Sequence, residues 1–144
     1  MIEQDTVKLL RECDAGAKMG AQSIDDVLPY VHAEGLKSTL TECKTNHTRL
    51  SAEIQEELNR FDDLGKDPSP IAEKMSWLKT TVKLKMEESD RTVADLMTDG
   101  CNMGVKSLNR YLNQYGAASE KAKDIAKKLI HMEDTLQNGL RAYL

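Results

Sequence analysis

His47, Cys43, Cys101 and Asp14 are the side chains whose types and spacing could do chemistry in this chain. An imidazole with a thiol as soft partner, completed by a carboxylate or a second thiol, is the donor set of an irregular metal or redox site. The competing reading is plainer: a neutral core histidine, hydrogen-bonded to Asp14 or to a bridging water. It is the favoured one, because a useful zinc site needs at least three ligands. Cys13 brings the cysteines to three, an odd number at wide spacing that suits reduced thiols better than a disulfide frame. On apolar helix faces such thiols are inert, since reactivity needs an exposed, electropositive setting.

Other chemistries leave no trace. Nucleophilic-hydrolase, P-loop and dinucleotide signatures are missing, and Gly100-Cys101-Asn102-Met103-Gly104 falls inside a helical pattern, where it cannot cradle a phosphate. The net charge of -4 comes from 24 acids and 20 bases that are well mixed. No basic stripe therefore argues for nucleic acid, and no basic amphipathic helix for a membrane surface. No apolar run approaches a membrane span, and the start, with Glu3 and Asp5, lacks an apolar leader core, so a cytoplasmic protein is expected.

The elements that must position these residues are helices. Apolar residues at 40%, aromatics at only 4% and three prolines in turn-like places describe an aliphatic helical bundle, and 144 residues suit one domain spanning 1–144. Helix one is expected from Asp5 to Val31 on a seam of Val7, Leu10, Ala17, Ala21, Ile24, Leu28 and Val31, with Pro29 disturbing its last turn. A tight turn leads to helix two, whose seam Leu36, Leu40, Cys43, His47, Leu50, Ile54, Leu58 and Phe61 is the cleanest in the chain. Asp62 to Pro68 ends it. Ser69 and Pro70 then open a short amphipathic helix carrying Ile71, Met75, Leu78, Val82 and Met86, with Trp77 and Leu84 on its flank. Ser89 caps helix three, with Ala94, Cys101, Val105, Leu108, Leu112 and Tyr115 inward. Ser119 caps helix four, with Ala122, Ile125, Leu129, Met132, Leu136, Leu140 and Tyr143 inward. The lysines of the amphipathic helix and of helix four (Lys121, Lys123, Lys127, Lys128) read as solvated faces balanced by nearby acids.

Two long hairpins are thus joined by a crossover holding a helix of about 17 residues, roughly 25 Å of travel. Helix three then starts at the end where helix two started, as in a four-helix bundle with one long crossover.

The segment from Gly16 to Leu28 returns 84 residues later as Gly100 to Leu112 without a gap. Gly16, Gly20 and Ser23 recur as Gly100, Gly104 and Ser107, and on a helix each set forms one strip of very small side chains. A glycine inside a helix costs about 1 kcal/mol against alanine, and the usual compensation is close approach of another backbone. The expectation is two hairpins related by an internal pseudo-twofold, with helices one and three crossing at the strips.

Counting outward from the hairpin turns places Ala17, His47, Cys101 and Met132 at one height. Ferritin-like carboxylate proteins hold their chemistry in this layer, with a Glu from each of two helices and a Glu-x-x-His from each of the others. Here helix two offers Lys44-x-x-His47, and Lys128-x-x-His131 on helix four should point to the polar side. Asp14 is the only acid on these seams near the layer. A di-iron centre needs several carboxylates.

Cys13-Asp14-Ala15-Gly16, Met75-Ser76-Trp77-Leu78-Lys79 and Asp99-Gly100-Cys101, spread over nearly the whole chain, resemble a bacterial family of ferritin-like four-helix-bundle proteins of uncharacterised function. The resemblance implies the fold and no reaction. Its most ferritin-like members carry Glu where Ala17 and Cys101 stand here, so it implies no complete di-iron centre. The expected protein is a non-catalytic structural or interaction module without cofactor, pairing with itself or with another protein. The alternative is a metal-binding or redox protein with a reduced site around His47 and Cys101.

Overall fold

A computed structural model of the chain describes residues 2–63, 65 and 89–144. Four long helices form a bundle: α1 (Ile2–Val27), α2 (Glu34–Asn59), α3 (Asp90–Gln114) and α4 (Glu120–Leu140). Single 3-10 turns follow α1 and α4, and the described residues contain no strand. The short helix expected between Ser69 and Ser89, with Trp77 and its lysines, lies outside the described residues.

Each helix buries a stripe at three- and four-residue spacing. In α2 the expected seam from Leu36 to Leu58 is buried at every position, His47 included. In α1 the stripe is rotated from the expected one: Thr6, Leu9, Leu10, Cys13, Asp14 and Ala17 are buried, whereas Val7 and Ala21 are only half-buried. The reason is that α1 turns this face toward α2 and α4. Met19, Gly20 and Ser23 face elsewhere, into a cleft described below. Pro29 disfavours helix in the residue before it, and α1 gives way to a 3-10 turn at Leu28–Tyr30, earlier than the expected Val31.

The stops and starts are chemically explicit. At the end of α2 the Asp63 amide donates to the Leu58 carbonyl at 3.1 Å and the Asp62 amide to Asn59 at 3.2 Å, with Asp62 in the left-handed region at φ 53°. This is the six-to-one and five-to-two pattern that closes a helix C-terminus. Ser119 caps α4 as expected, its hydroxyl accepting from the Ala122 amide at 3.2 Å. Ser89 occupies the position before α3 without a side-chain cap bond.

Hydrogen bonds at the two ends fix the helix directions. At one end the Asp90 carboxylate, in the first turn of α3, accepts the His32 amide at 2.7 Å and the Ala33 amide at 3.0 Å from the turn between α1 and α2. At the other, Asp5 in α1 accepts the Ala117 amide at 3.0 Å, and the Thr6 hydroxyl accepts the Ser119 amide at 2.8 Å. So α3 begins where α2 begins, those two run parallel, and α1 and α3 run antiparallel. The chain between α2 and α3 therefore connects opposite ends of the bundle.

The interior has two apolar halves. One gathers Leu9, Leu10, Cys13, Leu50, Ile54, Ile125 and Leu129, the other Ile24, Leu36, Leu40, Cys43, Cys101, Leu136 and Leu140. On the outside, Lys121 and Lys128 reach Glu53 on α2 at 3.6 and 3.2 Å, and Lys123 lies 3.9 Å from Glu120. None of the described helices is long and apolar enough to cross a membrane.

Candidate functional site

His47 lies between the two apolar halves with 1% of its surface exposed. It projects from the inner face of α2, one turn after Cys43, and both ring nitrogens face acceptors. Nδ1 is 2.8 Å from the Cys43 carbonyl oxygen and 3.4 Å from Cys43 Sγ, while Nε2 is 2.9 Å from Oε1 of Glu133 on α4. A ring that donates from both nitrogens is an imidazolium. Burial by itself lowers the His47 pKa, but the hydrogen bonds to Cys43 and Glu133 and the Glu133 charge outweigh it, and the net value is raised to about 10. The middle of the bundle thus holds a buried His47–Glu133 ion pair.

Cys101 on α3 lines the same space beside Glu133. Burial first, then the nearby Glu133 carboxylate, raise the Cys101 pKa far above the ordinary thiol value. Cys13 is pushed up to about 12 by burial and by Glu12 and Asp14. All three cysteines are free and buried, and thiols held protonated are poor nucleophiles.

Three expectations change here. Asp14 neither bonds His47 nor joins the cluster: its buried carboxylate accepts from Lys18 Nζ at 2.8 Å and from Gln55 Nε2 at 2.9 Å. On α4 the residue facing His47 is Glu133, not Met132. Leu129, Glu133 and Leu136 keep helical spacing just as Leu129, Met132 and Leu136 do, and reading the seam as apolar selects the wrong one. On α1 the His47 ring lies against Gly20, one turn beyond Ala17. His131 is exposed, as expected. Of the four candidate ligands, Cys43, His47 and Cys101 are brought together and Asp14 is not. No group of three His, Cys, Asp or Glu among the described residues has the geometry to hold a metal ion.

The small-residue strips also behave differently from the expected crossing. A Cβ built on Gly20 would lie 2.6 Å from His47 Cδ2 and Nε2; on Gly104 it would meet only Glu133, at 3.5 Å, and on Gly16 only Leu129 Cδ2, at 3.5 Å. On Gly100 it would meet no described residue within 4 Å. The nearest neighbours are side chains of α2 and α4, not the backbone of the opposing helix. Instead of a close crossing, Gly16, Gly20 and Ser23 on α1 and Gly100, Gly104 and Ser107 on α3 line two walls of one cleft of about 130 Å³. Its floor includes His47, Cys101, Leu129 and Glu133, and its remaining lining is mostly apolar, with Met19, Met97 and Met103. Toward one end lie Tyr111 and Glu12, and burial, then the Glu12 charge, raise the Tyr111 pKa.

The chain stands apart in comparison. No protein-family model, curated protein or solved structure matches it. What the site can do is therefore read from its own atoms: it holds a proton on His47, keeps a carboxylate and a thiol neutralised beside it, and opens a small apolar space above them.

Proposed function

We propose that this chain is a non-catalytic, ferritin-like binding protein of the cytoplasm, in which a buried ion pair occupies the layer where a dinuclear centre would sit. The observation that carries the reading is the state of His47. Its Nδ1 proton is committed to a backbone carbonyl and its Nε2 proton to Glu133, so no lone pair is left for a metal while the pair is intact. The Cys101 thiol on the cleft floor and Cys13 in the core are held protonated, which leaves those two unsuited to redox exchange at neutral pH. We further propose that the two hairpins are repeats related by a pseudo-twofold axis. The reciprocal end contacts support this: Ala33 and Ala117, 84 residues apart, each donate to an aspartate in the first helix of the other hairpin.

Elemental analysis of protein purified without chelator tests the reading, repeated on His47→Ala. The expected result is substoichiometric iron, zinc and manganese in both proteins, with the variant changed only in stability. Stoichiometric metal in the parent that disappears in His47→Ala would overturn it in favour of a metal site around His47 and Cys101.

A further inference from the structure

We propose that the cleft between α1 and α3 binds a compact neutral phenol, with its ring between the methionines and its hydroxyl donated to Glu133. None of the four strip glycines has backbone of another helix among its nearest described neighbours, and only Gly20 is packed tightly, against the His47 ring, so the usual compensation for a glycine inside a helix is missing at Gly16, Gly100 and Gly104. What their lack of side chains does produce is space. The resulting volume, about 130 Å³, is close to that of an apolar cavity known to admit benzene, which limits the guest to roughly one six-membered ring with a small substituent.

The lining sets the chemistry. Met19, Met97 and Met103 present thioethers, which are adaptable and make favourable contacts with aromatic rings. Glu133 has a side chain 12% exposed, and its carboxylate carries about four acceptor sites, of which His47 takes one, with the Cys101 thiol nearby. A guest that brings one donor finds an acceptor there. Among the described residues the charged groups facing the cleft are His47 and Glu133, which cancel, and Glu12 toward the end where Tyr111 lies. A guest cation would lose its hydration without gaining net charge complementarity at the floor, whereas a hydroxyl is cheaper to bury once hydrogen-bonded. The inference rests on the ion-pair reading above and adds the ligand class to it.

The test is titration of the whole protein with p-cresol, toluene and benzylamine, followed by the methyl resonances of ¹³C-methionine. p-Cresol should give saturable shifts at Met19, Met97 and Met103 and bind about tenfold more tightly than toluene, with benzylamine weakest. Gly100→Leu puts a side chain into open space and should fold well while weakening p-cresol binding at least about tenfold; Glu133→Gln should narrow the preference over toluene. Absent shifts in folded protein, or p-cresol binding untouched by Gly100→Leu, would overturn the site, and equal affinity for toluene would overturn the hydroxyl contact. Failure of the ion-pair reading would register separately, as stoichiometric metal in the purified protein.

Discussion

The two walls of the cleft carry the same strip of residues and sit in different surroundings. On α1, Gly20 leaves no room for even one carbon, because the His47 ring presses against it at 2.6 Å from a would-be Cβ. On α3, Gly104 would accept a methyl at ordinary contact distance from Glu133, and Gly100 faces open space. The strips are thus alike in sequence while the floor beneath them differs. The residue 84 positions after His47 is His131, which is exposed, and the partner that α4 supplies is Glu133 instead. A glycine can therefore be required for packing on one helix and for empty volume on the other.

Substitution can break or sharpen this contrast. The largest effect is expected from Gly20→Ala, where the new methyl must displace a ring held on both nitrogens. Overpacking together with a disturbed buried ion pair should cost about 3 kcal/mol or more in a denaturant melt. A neutral result would mean that the ring does not rest on α1.

Next comes the pH dependence of stability. The His47 pKa is raised from 6.5 to about 10 in the folded chain, so its contribution is fully present below about pH 6.5 and lost as pH rises through about 10. Stability of the parent should fall across that window, and in Glu133→Gln the fall should be much shallower. Equal slopes in parent and variant would remove Glu133 as the group that holds the proton.

Smaller effects, of opposite sign to that at Gly20, are expected on the other wall. Gly100→Ala gains helix propensity without a clash and should stabilise by about 1 kcal/mol. Gly104→Ala should stabilise by a few tenths of a kcal/mol less, because its methyl arrives beside Glu133. Thermal melts that showed either to be destabilising by more than about 1 kcal/mol would reinstate a close helix crossing at the strips.

Much of the architecture was legible in the residue pattern, and the reasons differ by element. The α2 seam could be read throughout because its inward positions, His47 apart, are apolar or thiol-bearing, and the end of α2 and the start of α4 followed from Asp62 and Ser119, whereas the effect of Pro29 was underread and α1 ends at Val27 instead of Val31. The α1 seam was read with an offset: Asp14 was placed on it, but Thr6 is a buried polar residue that periodicity counts as surface, and Leu9 and Cys13 are buried in place of Val7 and Ala21. The candidate site was half legible. His47 and Cys101 share a height that counting from the turns can find, and Cys43 lies one turn before His47 on the same seam. Glu133 escapes such counting because an acid beside an apolar position reads as solvent-facing; the signal available was a buried histidine in need of a carboxylate, together with Glu133 one turn from both Leu129 and Leu136. The strips announced that something occurs between α1 and α3. Small residues serve close approach and open volume equally well, and only the positions of α2 and α4 side chains separate the two.

The cross-bracing at the bundle ends has a consequence for how the molecule comes together. Each hairpin's bend leaves amides that its own residues do not satisfy, and the acceptors arrive from the first helix of the other hairpin: Asp90 for His32 and Ala33, Asp5 and Thr6 for Ala117 and Ser119. Neither bend is finished before docking. A peptide cut to one half would present uncapped corners to water, and the intact chain gains its last hydrogen bonds at both extremities only when the halves meet.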